Sequence, residues 1–163
     1  MGPGMLVKAC LRSAFSLMVF GWTQILMDLQ PLFAMVTGHG PLHGITHTVL
    51  GATCIGAIAA PTGKYAAQFV WRFVQEGHTA MRPLSISWGV AIVSALIGSY
   101  SHVLLDAIMH TDLHPLAPMS KANPLLGWIS IGLLHRLCLY SGVVGAAAYA
   151  AVGFRLANRS SNS

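Results

Sequence analysis

Charge is what this chain has least of. Of its 163 residues only 8% are Asp, Glu, Lys or Arg, and four are acidic, against 55% hydrophobic residues and a mean hydropathy of +0.65. Soluble domains carry about a quarter charged residues, so this composition is that of a membrane protein. The length allows one domain with a sizeable core and not two. Cysteine is scarce as well. Cys10, Cys54 and Cys138 are odd in number, far apart, and each in or beside an apolar segment. That pattern excludes a disulfide framework and a Cys-based zinc knuckle. Gly-x-Gly-x-x-Gly and P-loop patterns are absent, and so is the Gly-x-Ser-x-Gly elbow that would make Ser101, next to His102, a hydrolase nucleophile. The formal charge of +5 comes from nine Lys and Arg scattered over termini and loops, with no cluster and no aromatic interleaving. Nucleic acid is thereby excluded as a partner.

What is present is a series of apolar runs. Lys8 and Arg12 precede residues 13–27, which resemble the basic and hydrophobic parts of a secretory signal. No small-x-small cleavage site follows, so the expectation is an uncleaved first membrane helix. Gly38, Gly40 and Pro41 mark residues 31–42 as a loop. A second span is expected over 43–60, ending at Pro61-Thr-Gly63, with Ala52, Gly56 and Ala60 as a small-residue face for close packing. A third is expected over 85–110, where Ser94 and Gly98 give a similar face. The stretch 125–156 is broken by His135-Arg136 and is read as an interfacial piece, 125–134, and a fourth span, 137–154, with Gly142, Ala146 and Ala150 as its stripe. Lys64, Gln68, Arg72 and Glu76 form a narrow polar stripe on an otherwise apolar stretch, as expected of a helix lying in the membrane surface. The fold class is therefore an all-α polytopic bundle of about four transmembrane helices plus one or two interfacial helices. Residues 1–156 form one multi-pass domain and 157–163 a polar tail.

Lys8, Arg12, Lys64, Arg72, Arg82, Arg155 and Arg159 fall on one side of such a bundle, and the positive-inside rule makes that side, with both termini, cytoplasmic. The opposite end then collects the unusual residues: Asp28, His39, His43, His47, His102, Asp106, His110, Asp112 and His114. His43-x-x-x-His47 on a helix would put two imidazoles on one face, and His102-x-x-x-Asp106 would supply an imidazole and a carboxylate from a facing helix. With Asp28 these make a donor set of three His and two Asp, with His39 and His110 as further candidates. Mixed nitrogen and oxygen donors suit a divalent metal, zinc first and iron or manganese next. A position left to water would make the site catalytic, since a bound metal lowers the pKa of that water to about 7. Asp112 or His114 then serves as general base or outer partner of a ligand imidazole, and Arg136 faces an anionic group such as a phosphate.

Asp28-x-Gln30-Pro31, His39-Gly-Pro-Leu-His43-Gly-Ile-Thr-His47-Thr, Ser101-His-Val-Leu-Leu-Asp106, Pro115 and Asn123-Pro-Leu-Leu-Gly127 together resemble the membrane-bound metal-dependent hydrolases of the LexA-regulated inner-membrane type. The resemblance covers about residues 28 to 127. It implies a small multi-pass protein of the prokaryotic plasma membrane, with Asp28, His43, His47, His102 and Asp106 at the positions taken to form the metal site. Gln30 departs from the pattern, which often has a second acidic residue there. The expected activity is hydrolysis of an ester or phosphoester, and a site at the interface favours a lipid or lipid-linked substrate. A metal-binding or metal-transporting membrane protein, and an assembly module whose polar cluster fixes helix register, are the rivals.

Overall fold

The computed structural model describes residues 2–75 and 84–161. Glu76, His78, Arg82 and the last two residues lie outside the described residues. Five α-helices follow in order: α1 (Gly2–Leu11), α2 (Leu17–Thr37), α3 (Val49–Gln75), α4 (Trp88–Met109) and α5 (Ile131–Ser161), with short 3-10 turns at Arg12–Ala14 and Ile45–His47. No strand occurs among the described residues.

Each long helix starts at a hydroxyl side chain. Ser16 accepts from the Val19 N–H, Thr48 from Gly51, Ser87 from Val90 and Ser130 from Leu133. Such caps satisfy amides that have no carbonyl partner in the first turn. They also explain where the sequence-based boundaries move. Thr48 starts α3 one residue after His47, so the expected helix over 43–60 begins at Val49, and His43 and His47 lie in the connecting loop.

Two prolines expected to stop helices do not. Proline has a helix-compatible φ and gives up one N–H, a loss that apolar helices tolerate. α2 therefore runs through Pro31 to Gly38, whose φ of +69° and N–H bond to Ala34 O close it. α3 runs through Pro61, so the stretch that begins at Lys64 is the continuation of α3 and not a separate interfacial helix. The expected interfacial piece 125–134 consists instead of turns to Gly127 and then the start of α5, which passes His135 and Arg136 unbroken and takes in residues 157–161 of the expected tail.

α2, α3 and α4 form the centre. Ser16 N–H donates to Ser94 Oγ (2.8 Å) and Gln24 Nε2 to Gly98 O (3.0 Å), so α2 and α4 run side by side in the same direction. α3 returns antiparallel, with Thr53 paired to Tyr100 (2.7 Å) near its start and Lys64 over the Trp88 ring (4.2 Å) further on. The contact residues are small. Ala52, Gly56 and Ala60 are buried as expected, and Ser94 and Gly98 meet α2. Val19, Ala59, Ala60, Ala67, Ala91 and Ala95 make the lower core, and Met27, Ala52 and Val103 a second one above it.

α5 packs on α1 and little else. Gly2 lies against Cys138 and Gly142, Gly145 against the backbone of Met5 and Leu6, and Lys8 near the Tyr149 ring, so α1 runs parallel to α5. The contact row is Gly142, Gly145 and Tyr149, an i, i+3, i+7 ridge, and of the expected four-residue stripe Ala146 and Ala150 are exposed. The start of α1 consequently sits partway along α5, away from its basic end.

α4 and α5 (over Ile131–Arg155) are long and apolar enough to cross a membrane; among the described residues no other helix meets that criterion. Gln24, Asp28 and Gln30 lower the hydropathy of α2, and Lys64, Gln68 and Arg72 with many small residues lower that of α3.

Candidate metal centre

The polar residues meet where α2, the loop before α3, and the last turns of α4 come together. His102 and Asp106, four residues apart, share one face of α4. Asp28 faces them from α2. The loop 38–48 reaches back over both helices and is tied down by Val49 N–H donating to Pro115 O (2.8 Å). That loop brings His47 into the gap, 1% exposed.

Three distances define the centre. His102 Nε2 lies 3.3 Å from Asp28 Oδ1 and 3.1 Å from Asp106 Oδ2, and His47 Nε2 lies 3.5 Å from the same Asp106 oxygen. Ligands about 2.0–2.1 Å from one ion in a tetrahedron stand about 3.3–3.4 Å from one another, and these three pairs, at 3.1–3.5 Å, fall around that value. Two trios, Asp28 with His47 and His102, and His43 with His47 and Asp106, each have one ligating atom per residue within 4.8 Å of the others.

Hydrogen bonds fix the tautomers. Gln24 donates its amide N–H to Gly98 O, so its oxygen faces His102 and accepts from Nδ1–H (2.9 Å). Thr46 donates its hydroxyl to Gln30 Oε1, so its oxygen accepts from His47 Nδ1–H (3.0 Å). Both rings thus turn Nε2 inward, where it carries a lone pair when the ring is neutral. Among the described residues, His47 Nε2 and His102 Nε2 are the buried side-chain polar atoms with no hydrogen-bond partner. Burial above all, then repulsion from His102, pushes the His47 imidazole down to about 4, so it is neutral at pH 7. The lone pair of the neutral His47 ring, facing the Asp106 carboxylate, is repelled unless a cation lies between them. The donor set fits a divalent metal on this ground.

Gln24, Gln30 and Thr46 are the residues that sequence reasoning missed as part of the site. Gln24 is the one amide within the apolar run 13–27, and Gln30 departs from the pattern of the resemblance. Their readable signal was polarity at i−4 and i+2 from Asp28. Gly44 belongs with them, because any side chain there would collide with the Gln30 carboxamide. Outer partners of metal-bound histidines are worth about 10–100-fold in affinity. Gln24→Leu keeps the bulk and removes both hydrogen bonds, so metal affinity is expected to fall by that factor with the helices intact, as read by competition with a fluorescent chelator.

The other expected site residues fall in two groups. His43 Nδ1 lies 3.0 Å from both oxygens of Asp112, and its ring stacks on His110 at 4.1 Å. The hydrogen bond from His43 holds the Asp112 carboxyl below its ordinary range. His39 is exposed and bonded through Nδ1 to Thr37 O, outside the metal-competent groups. His114 is exposed on the turn after Leu113, and Arg136 is exposed on α5, which packs on α1; neither is brought to the centre. An apolar groove of about 560 Å³ between α2 and α3, lined by Leu17, Trp22, Ile25, Gly63 and Val70, extends to Gln24 and Asp28.

Comparison with protein families, curated proteins and solved structures found no match.

Proposed function

We propose that this protein is a metal-dependent hydrolase embedded in the plasma membrane of a prokaryote, acting on an ester or phosphoester of a lipid or lipid-linked compound. The observation that carries the reading is the pair of buried, unpartnered Nε2 atoms of His47 and His102 turned toward the carboxylates of Asp28 and Asp106. A structural cluster would have closed those lone pairs with donors. Asp28, His47, His102 and Asp106, with His43 alongside, would hold one divalent ion, zinc by preference. Bound there, the ion supplies Lewis acidity and a nucleophile from water at neutral pH. Gln24 and the Gln30–Thr46 pair keep the imidazoles aimed.

A membrane setting with four crossing helices is supported by apolar side chains that face outward all round the bundle. Phe33, Val36, Phe69, Leu139 and Val143 are all more than 60% exposed, and the most apolar stretch of α5 is only 6% buried. In water such a surface would aggregate. The positive-inside pattern then puts the centre on the non-cytoplasmic side. The groove reaching Asp28 supports a substrate with an apolar chain, laid along α2 with its polar bond at the carboxylate.

The test is metal analysis of the full chain purified in detergent, followed by reconstitution into phosphatidylethanolamine–phosphatidylglycerol vesicles. At least one tightly held divalent ion is expected, with release of water-soluble lipid products that stops on chelation and returns on re-addition. Absence of bound metal would overturn the reading, and metal flux across the vesicles without turnover would replace it by transport.

A further inference from the structure

We infer that the centre holds a second divalent cation, on His43, His110 and Asp112, next to the first. The inference rests on the metal-centre reading above and adds a site to it. One ligating atom from each of these three residues lies within 4.8 Å of the other two, the same closeness as in the two trios of the first site. His43 also belongs with His47 and Asp106, so the two donor sets are contiguous through one imidazole.

The second set is built, not incidental. His110 ends α4, its N–H donating to Asp106 O (2.9 Å), so it stands one turn beyond Asp106. The chain then turns at once, with Leu113 N–H reaching His110 O and the Leu113 side chain wholly buried. Asn123 Nδ2 donates to Ala107 O (2.9 Å) and His110 O (3.5 Å), and Gly127 N–H to Ile108 O (3.0 Å). Those bonds satisfy the carbonyls left open at the end of α4 and fix the turn that carries His110 and Asp112. The His43 and His110 rings lie 30° from parallel at 4.1 Å, which sets both imidazoles beside the one carboxylate. His43 is 9% exposed and Asp112 49%, so the set opens outward, and three protein donors leave positions for water or substrate.

Nitrogen donors with one carboxylate suit zinc, manganese or iron and are poor for calcium. Two divalent ions side by side would give an anionic group, such as the oxygens of a phosphoester, two points of attachment.

The experiment titrates chelator-stripped full-length protein in detergent with Mn2+ alone, reading stoichiometry by equilibrium dialysis and coupling by electron paramagnetic resonance. Two equivalents with a spin-coupled signal are expected for the unaltered chain. One equivalent with an uncoupled signal is expected for Asp112→Asn and again for His110→Gln, which guards against a folding defect in either variant. One equivalent in the unaltered chain, unchanged by both substitutions, would reduce His43 and Asp112 to an ordinary ion pair and overturn the inference while leaving the first site standing. A single equivalent merely weakened by Asp112→Asn would make Asp112 an outer partner of His43 and overturn it too. No bound Mn2+ or Zn2+ at all would remove the metal-centre reading itself.

Discussion

Asp106→Asn is expected to weaken metal binding by more than 100-fold, beyond what loss of an outer partner does, and to bring hydrolysis below detection. The effect on the metal-free protein should have the opposite sign. Asp106 Oδ2 sits 3.1 Å from His102 Nε2 and 3.5 Å from His47 Nε2. An asparagine amide can donate to one of them, so without metal the variant should unfold at the same temperature as the parent or higher. A metal that binds only the folded chain at 100 times its Kd stabilises by about 2.7 kcal/mol, and that increment should appear in the parent alone. Were His102 and Asp106 a plain buried ion pair, removing one partner would instead destabilise the metal-free protein by about 3–5 kcal/mol. Thermal unfolding of both proteins with and without chelator separates the two.

The second large effect lies in packing. A Cβ on Gly98 would stand 3.0 Å from Thr23 Cβ and 3.4 Å from Gln24 Nε2. Thr23 cannot give way, being fully buried with its hydroxyl donating to Val19 O. Gly98→Leu must therefore part α2 from α4, and overpacking of this kind costs about 1–3 kcal/mol. Because the Gln24 amide donates to Gly98 O, parting the helices also releases His102. Lower denaturant resistance and lower metal affinity are expected together. Gly89→Leu on the same helix, where a Cβ meets nothing within 4 Å, is the control and should change neither. Equal behaviour of the two variants would show that α2 and α4 are not in close contact.

The sequence made the all-α architecture legible, since apolar runs with small residues every four positions have no other economical packing. His102 and Asp106 were legible as a pair because α4 is a regular helix. His43 and His47 come together as expected but for another reason. Gly44 and the Thr48 cap leave them on a loop, so the four-residue spacing is an accident of a turn that doubles back over α2. Pro31 hid the true length of α2, and with it the fact that Asp28 lies within a helix and not at its end. The supporting amides were illegible because a glutamine in an apolar run carries no period, and only the fold shows that Gln24 and Gln30 flank the two imidazoles. His114 and Arg136 looked eligible by polarity alone, and neither the turn after Leu113 nor α5 brings them in.

The donors are divided between the halves of the chain, Asp28, His43 and His47 from the first and His102, Asp106, His110 and Asp112 from the second. A nascent polypeptide that has laid down only α2 and α3 thus presents scattered single donors with little power to hold a cation. On the proposed reading, loading of the ion belongs to the end of biogenesis, after α4 and the turn behind it have emerged, and starvation for the ion should leave a finished but metal-free chain instead of an arrested one.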